Sequence, residues 1–212
     1  MLQLDHITVI TPSLEEGVAH IRARLNLDIP FGRRHDYMGT HNHLMRLGES
    51  VYLEVVALDP AGQRPGFARW FGLDDQRTVR VAWDEGRHLR GWVGRTQNID
   101  AVLAGNEALL GRKVELGADN ASFCFSIPTD GSLPFGGAAP SVIDRKGKPP
   151  SVATMADLGA KLRSLTLEHP DPDNVSALYR RLGVDRPPLV RKGPKLRYRA
   201  QIETASGLKE LT

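Results

Sequence analysis

Leu4-Asp5-His6-Ile7-Thr8-Val9-Ile10-Thr11-Pro12-Ser13-Leu14-Glu15-Glu16 decides the fold. Its first half reads as a strand built for burial that carries one imidazole, His6. Its second half opens a helix. Ser13 is a natural N-cap, Glu16 three residues on completes a capping box, and Leu14, Val18, Ile21 and Leu25 share one helical face. Strands follow around residues 29–34 and 40–47, and a Gly48-Glu49-Ser50 turn leads into residues 51–58, giving the order β-α-β-β-β. In the last of these strands Glu54 places a carboxylate inside Val51-Tyr52-Leu53-Glu54-Val55-Val56. A His and a Glu, each alone on a strand otherwise made for burial, are raw material for a divalent metal site.

The layout recurs twice. From residue 89, a short strand at 91–96 precedes a helix capped by Asn98 with Ile99, Val102, Leu103 and Leu110 inward and Gly111 as its stop. Phe123, Phe125 and Ile127 then alternate with polar neighbours, and residues 141–145 resemble a last strand. From residue 162, a strand to 168 meets Asp171-Pro172, an N-cap followed by proline at the first helical position. Val175, Leu178 and Leu182 form that helix's buried stripe. Leu196, Tyr198, Ala200 and Ile202 next alternate with charged or polar residues, and a turn at 204–207 joins this strand to 208–211.

Repetition on this scale means one supersecondary piece reused. A single piece leaves a sheet face bare, so copies are expected to pair within the chain or across a homodimer. The expected organisation is one α+β domain: units at residues 1–59, 89–146 and 162–212, a connecting excursion at 60–88, and a linker at 147–161. The repeated β-α-β-β-β units should form open, cup-like mixed sheets with helices outside.

Composition limits the partners. The 28 basic residues are nearly balanced by 25 acidic ones, so charge gives no argument for nucleic acid. The basic run at 191–199 alternates with Leu196, Tyr198 and Ala200, which reads as the solvated face of a strand. No apolar run approaches a membrane span, and the N-terminus carries no secretory pattern, so a cytoplasmic protein is expected. Cys124 is the single cysteine, which excludes an intramolecular disulfide and a cysteine-based zinc site. Nothing nearby would activate it, so it is read as a small filler. The loop at 131–137 is rich in glycine but leads into no helix, so it lacks the context of a phosphate-binding loop.

The unit order, the early His and the Glu in the fourth strand resemble the vicinal oxygen chelate superfamily, which includes glyoxalase I, extradiol dioxygenases and the fosfomycin and bleomycin resistance proteins. Within it the chain looks most like the group called the glyoxalase-like domain. The segments that carry the likeness are Leu4-Asp5-His6-Ile7-Thr8-Val9, Met38-Gly39-Thr40-His41-Asn42, Tyr52-Leu53-Glu54-Val55-Val56-Ala57-Leu58-Asp59, Arg69-Trp70-Phe71-Gly72-Leu73 and Glu168-His169-Pro170-Asp171-Pro172. The resemblance implies paired units curled around one divalent ion (Zn, Ni, Mn or Fe), held by the first and fourth strands of both units. Carried over, His6 and Glu54 are metal ligands. Asp144 in Val142-Ile143-Asp144 stands in for the second carboxylate, while Ser164 and the region of Gly91 depart from the pattern where a second His would be.

Each candidate has a plainer reading. His6 can be a core histidine donating to a carbonyl, and Glu54 can face solvent on a half-exposed sheet. An unpaired buried carboxylate is costly, so an inward Glu54 needs a metal, an arginine or a proton. His41 and His43 share one strand face, Asn42 and Leu44 the other. Either histidine can serve as a third ligand or a base, and His41 is preferred because it lies in a matching segment. Asp144 can be a strand-end charge, and His169 a helix-entry packing residue. The function that the resemblance implies is a metal-dependent lyase, isomerase or dioxygenase acting on a small vicinal-oxygen substrate, with Glu54 and His41 in catalytic roles. Two alternatives stand beside it: a metal-free binding protein that sequesters a small molecule, and an interaction domain with Trp70 and Phe71 as anchors.

Overall fold

The opening strand β1 (Leu2–Ile10) forms where alternate side chains find two different apolar environments. Ile7 and Val9 join the core under the outer face, while Ile10 joins the cluster inside the cup. This computed structural model describes residues 1–118, 121–148 and 151–212. Helix α1 (Leu14–Leu25) begins at Ser13, whose hydroxyl accepts from the Glu16 N–H, and ends at Asn26 in the left-handed conformation (φ 56°). Gly17 lets α1 lie close on the sheet, since a Cβ there would come within 2.5 Å of Val55. The chain continues through β2 (Phe31–His35), β3 (Thr40–Arg46) and β4 (Tyr52–Leu58).

The excursion at 60–88 is not mere connection. It holds a single turn at Trp70–Gly72 and the helix α2 (Gln76–Asp84). The sequence offered no apolar stripe long enough to announce α2; it is stabilised by the Asp75 cap, whose carboxylate accepts from the Thr78 N–H.

The second unit comprises β5 (Leu89–Thr96), two short helices α3 (Ile99–Leu103) and α4 (Glu107–Leu110), then β6 (Arg112–Leu116), β7 (Phe123–Ile127) and β8 (Ser141–Asp144). The strand order is β2-β3-β4-β1-β5-β8-β7-β6. Each half repeats the same local order, with its first strand parallel to its fourth, and the halves meet where β1 runs antiparallel to β5. The resulting open sheet curls into a half-barrel, so the fold is α+β with a cup.

The last segment is wired differently. It contains β9 (Lys161–His169), α5 (Pro172–Arg181), β10 (Val184–Asp185), β11 (Leu189–Lys192), β12 (Arg197–Thr204) and β13 (Gly207–Leu211). Strand β10 extends the large sheet beside Leu2 and Gln3, whereas the others form a separate sheet ordered β11-β9-β12-β13. Here the first strand is central, flanked on both sides, so this segment departs from the order shared by the two halves of the cup. Its inner face packs Tyr198, Ala200, Ile202 and Leu211 into the same core as Ile7, Val9, Leu53 and Val55. The Tyr198 hydroxyl donates to Gly137 O and that of Tyr179 to Ala138 O, both at 2.7 Å. This layer therefore closes the outer side of the large sheet and leaves the concave face to the site. Among the described residues no helix is long and apolar enough to cross a membrane.

Candidate functional site in the cup

His6, Tyr52 and Glu54 reach the concave face because β1 and β4 run parallel in a register that pairs His6 with Tyr52 and Thr8 with Glu54. Asn42 and Leu44 arrive from β3, which pairs Leu44 with Glu54. They line a small cleft of about 70 Å³, partly open to solvent, whose other wall is Trp70, Phe71, Phe123, Phe125 and Ile143.

The centre of the polar wall is His6, 3 % exposed, held between two carboxylates. Its Nδ1 lies 2.7 Å from Asp5 Oδ1 and its Nε2 lies 3.3 Å from Glu54 Oε2. Tyr52 stacks on the imidazole with centroids 4.4 Å apart. Asp5 and His6 are consecutive, so in a regular strand they would point to opposite faces. A register shift between Leu4 and His6 in the β1–β5 ladder brings the two side chains together. Arg145 closes the arrangement: its Nη2 donates to Asp5 Oδ1 at 2.7 Å and to the Tyr52 hydroxyl at 3.1 Å.

Glu54 is fixed from its other side. The Asn42 amide nitrogen donates to Glu54 Oε1 at 2.7 Å and stands 3.4 Å from His35 Nε2. The amide is oriented by the Arg33 N–H, which donates to Asn42 Oδ1. His35 Nδ1 is in turn 3.0 Å from the Thr40 hydroxyl.

Electrostatics follow from these contacts. Burial alone would push the His6 pKa down, but hydrogen bonds to Asp5 and Glu54 outweigh it and the imidazole is raised above its usual 6.5. Burial would likewise raise Glu54, yet His6 and Asn42 hold it below the ordinary carboxylate value. Against its burial, Asp5 is held well below that range by His6 and Arg145. The buried quartet thus sets two carboxylates, Asp5 and Glu54, against the His6 imidazole and the Arg145 guanidinium. His35 lacks an acidic partner in contact, and burial depresses it to about 4, so it sits neutral and accepts from Asn42.

The structure brings together His6 and Glu54, as the sequence pattern suggested, but not the rest of the expected set. Asp144 faces away from the cup. Its carboxylate accepts from the Ile99 N–H at 3.1 Å and the Lys146 N–H at 2.8 Å, so it caps α3 and a turn. One residue shifts the face of a strand, and the neighbours Ile143 and Arg145 are the ones that line the cleft. His41 is half-buried on the opposite face of β3 from Asn42, paired with Arg34 and Ala57 and outside the cleft. Asn42 occupies the position that His41 was expected to fill. Asp5, His35, Tyr52 and Arg145 complete the polar wall. Of these, only Tyr52 carried a signal in the sequence, through its alternation with Glu54.

A resident divalent ion does not fit this donor set. Among the described residues no group of three or more His, Cys, Asp or Glu is placed to hold one. Glu54 is already engaged by Asn42 and His6, Asp5 by His6 and Arg145, and the facing wall offers Phe125 and Ile143. Stable transition-metal sites draw on three or four protein ligands.

The residues 4–183 match the family described as glyoxalase-like domain. Among solved structures, a hypothetical protein from Staphylococcus aureus superposes with a TM-score of 0.61 at 11% identity, covering 98% of this chain and 93% of that one. A methylmalonyl-CoA epimerase from Streptomyces coelicolor, in complex with 2-nitronate-propionyl-CoA, gives 0.41 at 15% identity over 70% of this chain and 99% of the other. The methylmalonyl-CoA epimerase of Mycobacterium tuberculosis gives 0.40 at 17% identity, over 71% and 91%. No curated protein matches the sequence significantly. With the two-unit cup and a family match over most of its length, the chain belongs to the glyoxalase-like domain family.

Proposed function

We propose that the cup binds a small oxygenated anion and moves a proton on it, as an isomerase or lyase does, without a metal. The observation that carries this reading is the buried His6 imidazole between Asp5 and Glu54. Asp5 orients the ring through Nδ1 and so aims Nε2 at the cup, the role a buried carboxylate plays toward a catalytic histidine. The bonds to Asp5 and Glu54 favour the protonated ring, which makes His6 a hydrogen-bond donor. Its 3.3 Å contact to Glu54 is long for a charge-assisted bond, and a ligand oxygen can replace it.

The steps then balance. A substrate carbonyl oxygen takes the hydrogen bond from His6 Nε2, and Glu54 Oε2 accepts the proton from the adjacent carbon. The enolate charge that develops is stabilised by the imidazolium. Return of the proton to another face or position gives isomerisation, and departure of a β-substituent gives elimination. The indole N–H of Trp70, buried and without a partner among the described residues, lines the same cleft and supplies a further donor.

The aromatic wall supports a second reading, in which the cup only sequesters a planar ligand by stacking. Exchange in deuterated water separates the two. Small 2-oxo and 2-hydroxy acids and their thioesters are incubated with the protein, and C–H to C–D conversion is followed by NMR. Catalysed exchange that vanishes in His6→Gln supports proton transfer. Binding without exchange for every compound supports sequestration and removes the enzymatic reading.

A further inference from the structure

A second cleft adjoins the cup, and Arg145 lines both. It offers about 440 Å³, open on one side, between Gln3, Arg95, Thr96, Gln97, Asn98, Gly147 and Lys148. Among the described residues no carboxylate lines it. Several surface basic side chains are matched with acids: Arg80 with Glu16, Arg163 with Glu203, Arg199 with Glu168 and Glu210, Lys146 with Glu115. Among the described residues Arg95 and Lys148 donate to neutral oxygens. Arg95 bonds Leu4 O at 2.7 Å, Ser50 O at 2.9 Å and Gln3 Oε1 at 3.2 Å, and Lys148 bonds Ser122 O at 2.6 Å. These bonds fix the position of the guanidinium, with no carboxylate in ion-pair contact among the described residues.

We infer that this cleft takes the phosphoryl-bearing arm of the substrate, whose reacting end lies at His6 and Glu54; the assignment of that reacting end rests on the proton-transfer reading above. The charge of Arg145 is offset by Asp5, which leaves Arg95 and Lys148 as two positive charges for the arm. A single carboxylate needs one such partner. A phosphate or diphosphate carries more charge and presents several oxygens, which match a planar arginine fork beside a flexible lysine. The cleft's size also exceeds what one carboxylate fills.

The test uses inorganic diphosphate as the probe in calorimetric titration of the whole protein. Saturable one-site binding is expected, weakened about tenfold by Lys148→Glu and abolished by Arg95→Gln combined with Lys148→Gln. Lys148 is exposed, so its variant isolates charge from folding. Arg163→Gln, a surface arginine on β9, should bind as the wild type does. No saturable binding, or unchanged affinity in Lys148→Glu, or an equal loss in Arg163→Gln, overturns the cleft assignment. A failure of proton exchange with diphosphate binding intact overturns only the acid–base reading.

Discussion

The two halves of the cup share one strand order and differ in what they point inward. From β1, β3 and β4 come His6, Asn42, Tyr52 and Glu54; from β7 and β8 come Phe125 and Ile143, joined by Phe123 at the strand's start. A site built symmetrically on paired units needs donors from both. Here one wall concentrates the ionisable groups and the other excludes water from them, with Arg145, just past β8, as its one charged contribution. Specialisation of the halves gathers the buried ionisable groups on the first unit. A dry facing wall also strengthens every electrostatic contact across the cup.

The comparison can be broken most forcefully on the polar wall. Removing the proton carrier with His6→Gln should lower any exchange or elimination rate about 10²- to 10⁴-fold, as loss of a positioned acid–base group does. Circular dichroism checks that the fold persists. On the dry wall the effect should be on stability. Phe125→Ala removes a buried ring that packs edge-on against Trp70 and Phe71, and should cost about 3–5 kcal/mol in denaturant unfolding.

A third test uses pH to tell two histidines of the polar wall apart. His35 is depressed to about 4 in the fold, so the unfolded chain takes up its proton first as pH falls below 6.5. Its contribution is complete above 6.5 and is lost between 6.5 and about 4, which removes about 3 kcal/mol. His6 has the opposite sign: its stabilisation is complete below 6.5 and fades as pH rises through its raised value. Unfolding curves of His35→Gln across acid pH should therefore be flatter than those of the wild type. Smallest is the effect expected outside the cup. Asp144→Ala should cost about 1–2 kcal/mol through the lost cap of α3 and leave ligand binding unchanged, which calorimetry can check.

The sequence made the first unit legible because its signals are local. The Ser13 cap, the stripe of α1 and the alternation around Glu54 each depend on near neighbours, and His6 and Glu54 could be nominated from them. The remainder of the site depends on long-range register. Asp5 joins it through a ladder irregularity opposite β5, which no alternation pattern announces. Choosing His41 over Asn42, or Asp144 over Arg145, is in each case an error of one residue in strand parity, and parity is set by the partner strand. The last segment misled for a related reason: its β-α-β elements look like the earlier units, but β9 pairs on both edges.

The most direct measurement is a ¹⁵N NMR titration of the His6 ring in wild type and Glu54→Gln. An imidazole clasped by Asp5 and Glu54 should titrate above 6.5 and fall measurably when Glu54 loses its charge. A midpoint at or below 6.5, or one indifferent to Glu54→Gln, would contradict the proton-carrier account.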